Sequence, residues 1–412
     1  MPYMSFLNYK QIPLFLIGLF PLCLLIGSFA SELLIFIIII FFLSEVILYK
    51  KIHIFRENWF IFLITIWIYL IFNLYISSNF DLSFNRSILF IRFPILILAI
   101  NYFIKKNDFE YNIIFKLWAI TIFITISDLY FQYIFGYNIL GIESPWLTRL
   151  SGFMGDELKV AHLLIGFTMP IFAFYFIEKK NKFLLFLLIL IYFIILLLIN
   201  ERSNAIKGSF IIIFFIIFFK QKNIKLKFIS FIALFAILIS VMFFNQMTYQ
   251  RYIYELKIMY SKDSSFKNII MKSNYGPHYM TGLALFKKNP LFGTGLKTFR
   301  VECKTVTFNS HPNPKYASLY GCTTHPHQLH IELLSEIGIV GYLLFFSFFG
   351  YLIYKSTRIY RKNNDLIILS STLFLISQLI PLLPSGSFFT SFSATIFWIN
   401  MSIILSRINK NE

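Results

Sequence analysis

The run Phe183-Leu-Leu-Phe-Leu-Leu-Ile-Leu-Ile-Tyr-Phe-Ile-Ile-Leu-Leu-Leu-Ile199 decides which solvent this chain folds in. A helix of about 20 apolar residues, rising 1.5 Å per residue, crosses a hydrocarbon core of about 30 Å, and this run with its flanks is on that scale. Leu33–Tyr49, Phe60–Ile76 and Phe228–Phe244 repeat the pattern. Lipid offers a backbone no hydrogen-bond partners, so a spanning segment is either a helix or a strand of a closed barrel. Barrel strands alternate apolar and polar residues, whereas these runs are continuously apolar. The expected class is all-α, a polytopic membrane protein.

Composition agrees. Of 412 residues, 58% are hydrophobic, 20% aromatic and only 14% charged, which would leave too much apolar surface for folding in water. The formal charge of +18 invites a nucleic-acid reading, but that reading fails once the basic residues are placed. They gather in alternate short loops: Lys50, Lys51 and Arg56; Lys105 and Lys106; Lys179, Lys180 and Lys182; Lys220, Lys222, Lys225 and Lys227; then Lys355, Arg358, Arg361 and Lys362. That is the positive-inside pattern, which predicts both termini in the cytoplasm of an inner-membrane protein. No small-residue cleavage site follows Ile12–Ala30 and another apolar run comes at once, so this first segment is expected to stay as helix one.

Spans are expected near 12–30, 33–49, 59–77, 87–104, 113–135, 159–178, 183–199, 204–219, 226–245, 331–354, 365–384 and 387–406, about twelve in all. The chain then divides into residues 1–245 with nine helices, a large periplasmic loop over 246–330, and residues 331–412 with three helices and a cytoplasmic tail. No internal repeat of the transporter kind is visible.

The chemistry collects on the predicted outer side. Five of the seven His (His278, His311, His325, His327, His330) and two of the three Cys lie in or at the end of the long loop. Cys303 and Cys322 would face an oxidising compartment, where a pair either bridges or stays as two free thiols. His325-Pro-His327-Gln328-Leu-His330 leads into a helix carrying Glu332 and Glu336 one turn apart. An imidazole at a membrane boundary can exchange a proton at working pH. It can equally be a solvated helix-end residue, or one of three ligands to a metal. Glu336 would lie inside the span, where a carboxylate is costly and marks function or a buried cation partner such as Arg92.

Asn200-Glu-Arg-Ser-Asn-Ala-Ile-Lys207 joins two long apolar helices. Arg202 and Lys207 in one outer turn break the positive-inside trend and suit an anionic ligand such as a diphosphate, although a plain connector with a snorkelling cation has the same composition. Arg149–Lys159 reads as a Gly-containing loop with charges of both signs, and Tyr275–Arg300 as a short amphipathic helix followed by a Gly-rich turn. Arg251, Tyr252, Lys257, Lys262 and Lys297 suit a phosphorylated lipid head or an anionic lipid surface.

Taken together, Asn200-Glu-Arg-Ser-Asn204, Asn289-Pro-Leu-Phe-Gly293-Thr-Gly295, His325-Pro-His327-Gln328 and Glu336-x-Gly338-x-x-Gly341 resemble the O-antigen ligase and polymerase superfamily of bacterial envelope glycosyltransferases. Asp128-x-x-x-Gln132-x-x-x-Gly136, Arg149–Leu158 and Pro384-Ser-Gly-Ser387 extend the likeness over roughly residues 120–390. Gln328 stands where the family usually has Asn. The resemblance implies a bundle of about twelve helices and a glycan donor on undecaprenyl diphosphate. The acceptor is a lipid A-core sugar for a ligase, or another repeat unit for a polymerase. It also implies metal-independent inverting transfer without a cofactor, His327 as base and Arg side chains on the diphosphate. On that basis the expected site is His327 with Glu336 or Glu332 orienting it, and Arg202, Lys207 and Arg149 on the donor. His325, His330 and Gln328 are further loop candidates. Ligase is favoured over polymerase, over transfer of the glycan to protein, and over a flippase, which would place its charges at mid-bilayer.

Overall fold

The computed structural model describes residues 11–146, 148–220, 224–255, 257, 273–306 and 321–411. Among them the protein is all-helical, with one isolated β-bridge between Tyr137 and Glu143. The helices are α1 Ile12–Gly18, α2 Phe20–Ile26, α3 Ser28–Leu48, α4 Asn58–Tyr75, α5 Phe80–Leu89, α6 Arg92–Lys106, α7 Asn112–Phe135 and α8 Val160–Lys179. They continue as α9 Lys182–Leu198, α10 Arg202–Phe218, α11 Ile224–Phe244, α12 Gly276–Lys288, α13 Leu329–Asn363, α14 Leu366–Gln378 and α15 Ser391–Asn411. Among the described residues eight segments are long and apolar enough to cross a membrane, with α5 and α6 counted as one, and α9 and α14 are shorter apolar helices.

Burial ranks the helices. The central ones are α15, 83% buried along its apolar window, and α8 at 78%, whereas α11 at 11% lies on the rim with its apolar face outward. Close approach in the centre uses glycine. A Cβ on Gly166 of α8 would overlap Ile396 of α15, and one on Gly208 of α10 would overlap Leu196 of α9, the small-residue packing that membrane helices use in place of a hydrophobic driving force.

Several boundaries differ from the expected spans for identifiable reasons. The segment expected at 87–104 starts at Phe80, because Ser83 and Ser87 are fully buried against protein and the polar stretch is helical. Asn79 caps its start by accepting from the Leu82 amide. The turn expected to reach Lys207 ends at Glu201, so Lys207 lies inside α10. The expected short turn Pro384–Phe388 is part of a connector over 379–390, since α14 stops at Gln378.

The longest helix, α13, is broken at Gly338, whose φ of 67° and ψ of −175° are not helical. The break is filled by the turn after α12. The Ile339 and Val340 amides donate to the carbonyls of Pro290 and Leu291 at 2.9 and 3.2 Å, and the Thr294 and Gly295 amides donate to those of Ser335 and Glu336 at 3.0 and 2.8 Å. Irregular backbone at membrane depth is tolerated where protein satisfies it, and here the turn supplies these four bonds while the Tyr69 hydroxyl donates to the Ile337 carbonyl. A Cβ on Gly293 would run into the Glu336 backbone and one on Gly338 into the Leu291 backbone, so both positions admit only glycine. The motifs at 289–295 and 336–341 are thus two halves of one joint.

Candidate functional site

Helix directions put the junctions at 27, 76–79, 199–201 and 379–390, the Gly136 end of α7, the end of α11 at Asn245 and the start of α13 at one end of the bundle. The Lys- and Arg-rich junctions lie at the other end, where Lys106 pairs with Glu45 at 2.6 Å and Arg407 with Asp365. His327 sits at the loop-rich end. Its ring centroid is 4.0 Å from that of His325, 5.3 Å from His278 and 5.5 Å from Tyr275. Its φ of 56° is left-handed, a costly conformation for a side chain with a Cβ and of the kind that surrounding structure must enforce. Part of that enforcement is the Ser385 amide, which donates to the His327 carbonyl at 2.8 Å. Burial and the neighbouring His278 pull the His327 imidazole down to about 4, and burial with His327 beside it pulls His325 to about 3. The cluster is therefore neutral at pH 7, and a neutral imidazole can accept a proton.

The other two residues of the His motif have structural partners. His330 Nδ1 is 3.0 Å from the Tyr342 hydroxyl and Nε2 is 2.9 Å from the Leu379 carbonyl, so both nitrogens are engaged away from His327. Gln328 caps α13, its Oε1 accepting from the Ile331 amide at 2.8 Å. Among the described residues no group of three His, Cys, Asp or Glu side chains is placed to hold a metal ion.

The cations form a second group beside the first. Arg202 opens α10, pairs with Glu255 at 3.1 Å and donates to the Arg251 carbonyl at 3.2 Å, while Arg251 pairs with the same Glu255 at 3.2 Å. Arg149 lies within electrostatic range of Arg202, Arg251, Glu201 and Tyr275. Tyr275 is thus shared between Arg149 and the His327 ring. A second link runs through the connector: Ser203 Oγ donates to the Pro384 carbonyl, one residue before the Ser385 amide that holds His327. Arg149, Arg202 and His327 consequently border one region. Burial beside this group lifts the Glu201 carboxyl to about 7, against the pull of Asn204 and Arg149.

Lys207 is elsewhere. Buried in α10, its amine donates to Gln378 Oε1 at 3.1 Å, and five residues of helix, about 7.5 Å, separate it from Arg202. The carboxylates are also apart from the imidazole. Glu332 accepts from the Ser387 hydroxyl at 2.5 Å and the Phe388 amide at 2.9 Å. Glu336 faces the Lys297 and Phe299 backbone amides without a closed hydrogen bond. Among the described residues neither carboxylate bonds to His327, and Arg92 pairs with Glu32 instead, at 2.9 Å. Lys297, buried and left-handed at φ 65°, lies within electrostatic range of both carboxylates.

Cys303 and Cys322 are joined by a disulfide with Cα atoms 5.2 Å apart, packed with Leu285 and Phe299. His311 and Lys262 lie outside the described residues. The sequence reading did not single out His278, Ser203 or Ser385 for the site. The only signal for them was their membership of the short motifs around Tyr275, Arg202 and Pro384.

Residues 184–346 match the family model described as O-antigen ligase. That stretch of the chain is similar to the O-antigen ligase superfamily. The matched stretch holds the α10 start, both halves of the glycine joint and the whole His cluster, whereas Arg149 and the Pro384–Phe389 connector fall outside it. Members of the superfamily are glycosyltransferase-like enzymes, ligases and polymerases, acting on lipid-linked glycans. A search of curated proteins finds no match.

Proposed function

We propose that the protein is an O-antigen ligase, transferring a glycan from undecaprenyl diphosphate to a lipid A-core acceptor on the periplasmic face of the inner membrane. The observation that carries this reading is the convergence of His327 with Arg149 and Arg202 around Tyr275 and the Pro384–Ser385 peptide. The concentration of Lys and Arg at the opposite end of the bundle supports cytoplasmic termini and a periplasmic site.

In this mechanism the polyprenyl tail lies in the bilayer and its diphosphate meets Arg202 and Arg149. The neutral His327 imidazole takes the proton of an acceptor hydroxyl as the oxygen attacks the anomeric carbon. The carbon–oxygen bond to the diphosphate breaks from the opposite side, inverting the centre, and the leaving group departs with both bonding electrons. Fixed guanidinium groups stabilise that developing charge without reorganising. Glu332 and Glu336 hold the connector and the α12–α13 turn, and so position the base from a distance.

The deciding experiment is the lipopolysaccharide profile of a strain lacking the protein, complemented with wild type, His327→Ala or Arg202→Ala at equal membrane levels. Glycan-capped lipid with wild type only, and long glycan retained on the polyprenyl carrier with both variants, supports the ligase. Lipid capped by a single repeat unit in the deletion strain makes the protein a polymerase, and full complementation by both variants removes the assigned site.

A further inference from the structure

A cavity of about 720 Å³ lies between α3, α5 and the turn after α12, on the far side of the connector from Arg202. Four cations border it, Arg86, Arg92, Lys297 and Arg300, against the carboxylates of Glu32 and Asp81. Of the four, Arg92 alone forms a close ion pair among the described residues, with Glu32, while Lys297 lies within electrostatic range of Glu332 and Glu336 and Arg86 within range of Glu32. Burial lowers Lys297 against the pull of Glu332 and Glu336, while Arg86 and Arg300 on the cavity side push it further down. The outer wall is apolar and faces outward: Phe29 is 81% exposed, Leu33 49% and Phe36 45%. A cavity with a cationic floor and an apolar lateral wall suits an amphiphile whose anionic head is inside and whose chains lie in lipid.

The connector ties this cavity to the transfer site. Its residues contact in chain order Ser203 at Pro384, His327 at Ser385, Glu332 at Ser387 and Phe388, and Arg86, whose guanidinium donates to the Phe389 carbonyl at 3.1 Å. Pro384 and Phe389 are five residues apart, so the two cation groups stand at the ends of a strip no longer than about 18 Å, with His327 between them. Transfer between two lipid-linked substrates brings two amphiphiles to one base.

We infer that the cavity bordered by Arg86, Lys297 and Arg300 binds the phosphate of the acceptor lipid, opposite the donor diphosphate at Arg202 and Arg149. This rests on the transfer reading for its meaning but not for its test. A phosphate monoester carries about −1.5 to −2 charge at pH 7, and among the lining residues the cations Arg86, Arg92, Lys297 and Arg300 outnumber the carboxylates Glu32 and Asp81.

The test is binding of lipid A, a bisphosphorylated acylated glucosamine disaccharide, to the full-length protein in detergent, read by native mass spectrometry. Arg300 is exposed, so Arg300→Glu keeps the fold, and Arg86→Gln serves as the second variant. Each is expected to weaken lipid A binding about tenfold or more, the scale of a lost charge-assisted hydrogen bond. Arg202→Gln is expected to bind within about twofold of wild type, because it lies at the other end of the strip. Dephosphorylated lipid A is expected to bind wild type as weakly as the intact lipid binds Arg300→Glu. Wild-type affinity in both cavity variants, or an equal loss in Arg202→Gln, overturns the proposal. Because the readout is binding, failure of glycan transfer in the complementation experiment leaves this result standing, and the converse holds.

Discussion

The amide of Ser385 donates to the carbonyl of His327 at 2.8 Å, and through that bond a connector between two central helices fixes the backbone of the residue proposed as base. The neighbouring Pro384 carbonyl is held by Ser203, so the start of α10 and the start of α13 are braced against one peptide. Loss of the Ser203 hydroxyl in Ser203→Ala removes one brace, worth about 0.5–1.5 kcal/mol. Transfer is expected to fall by up to about tenfold, with the donor KM affected less than kcat. An unchanged kcat would show that the brace does not position His327.

His327 and His330 should separate cleanly. His327→Ala is expected to cut transfer by roughly 10²–10⁴, the range of a lost general base, with little change in melting temperature. His330→Ala strands the Tyr342 hydroxyl and the Leu379 carbonyl, at a cost of about 1–3 kcal/mol. It should lower the melting temperature and leave the transfer rate of the folded fraction nearly intact. Thermal melts of the purified variants alongside transfer assays measure both.

The pH response has two parts with opposite signs. His327 is depressed to about 4 from an ordinary value near 6.5, so its contribution to stability is present above 6.5 and is lost as pH falls toward 4. Glu201 is raised to about 7 from 4.5, so its contribution is complete below 4.5 and is lost as pH rises through 7. Glu201→Gln, which mimics the protonated acid, should flatten the decline of stability between about pH 4.5 and 7, the interval between the unfolded and folded values. A decline identical to wild type would assign it to another group.

The joint between α12 and α13 tolerates no side chain. Gly338→Ala adds a penalty of about 1–3 kcal/mol, for a backbone region that is essentially glycine-only, to an overlap with the Leu291 backbone, and Gly293→Ala meets the Glu336 backbone. Either variant is expected to reach the membrane at reduced level and to lose transfer, since the turn that carries Lys297 is displaced. Wild-type folding and transfer in Gly338→Ala would refute the docked geometry.

Reduction of the Cys303–Cys322 bridge, which spans a sequence separation of 19, should lower stability by about 3 kcal/mol through the freed loop. The check is the shift in melting temperature with reductant, compared with a Cys303→Ser/Cys322→Ser double variant, which should not respond.

The sequence by itself determined that this protein is helical and membrane-embedded, because continuous apolar runs such as Phe183–Ile199 leave the backbone no other way to satisfy its hydrogen bonds. Distribution of Lys and Arg separated the two ends of the bundle, and the residue types at 200–204 and 325–328 marked where chemistry collects. What tertiary structure alone decided was which of those residues meet. His325, His327 and His330 lie within six positions, yet a left-handed turn at His327 and a helix starting at Leu329 direct His330 toward Tyr342 and leave His327 with His278, almost fifty residues upstream. Arg202 and Lys207 read as one turn, but helix geometry put the second inside the bundle on Gln378. Side chains close in sequence diverge whenever a helix begins between them, while packing brings together groups from distant helices, and no local pattern encodes either outcome.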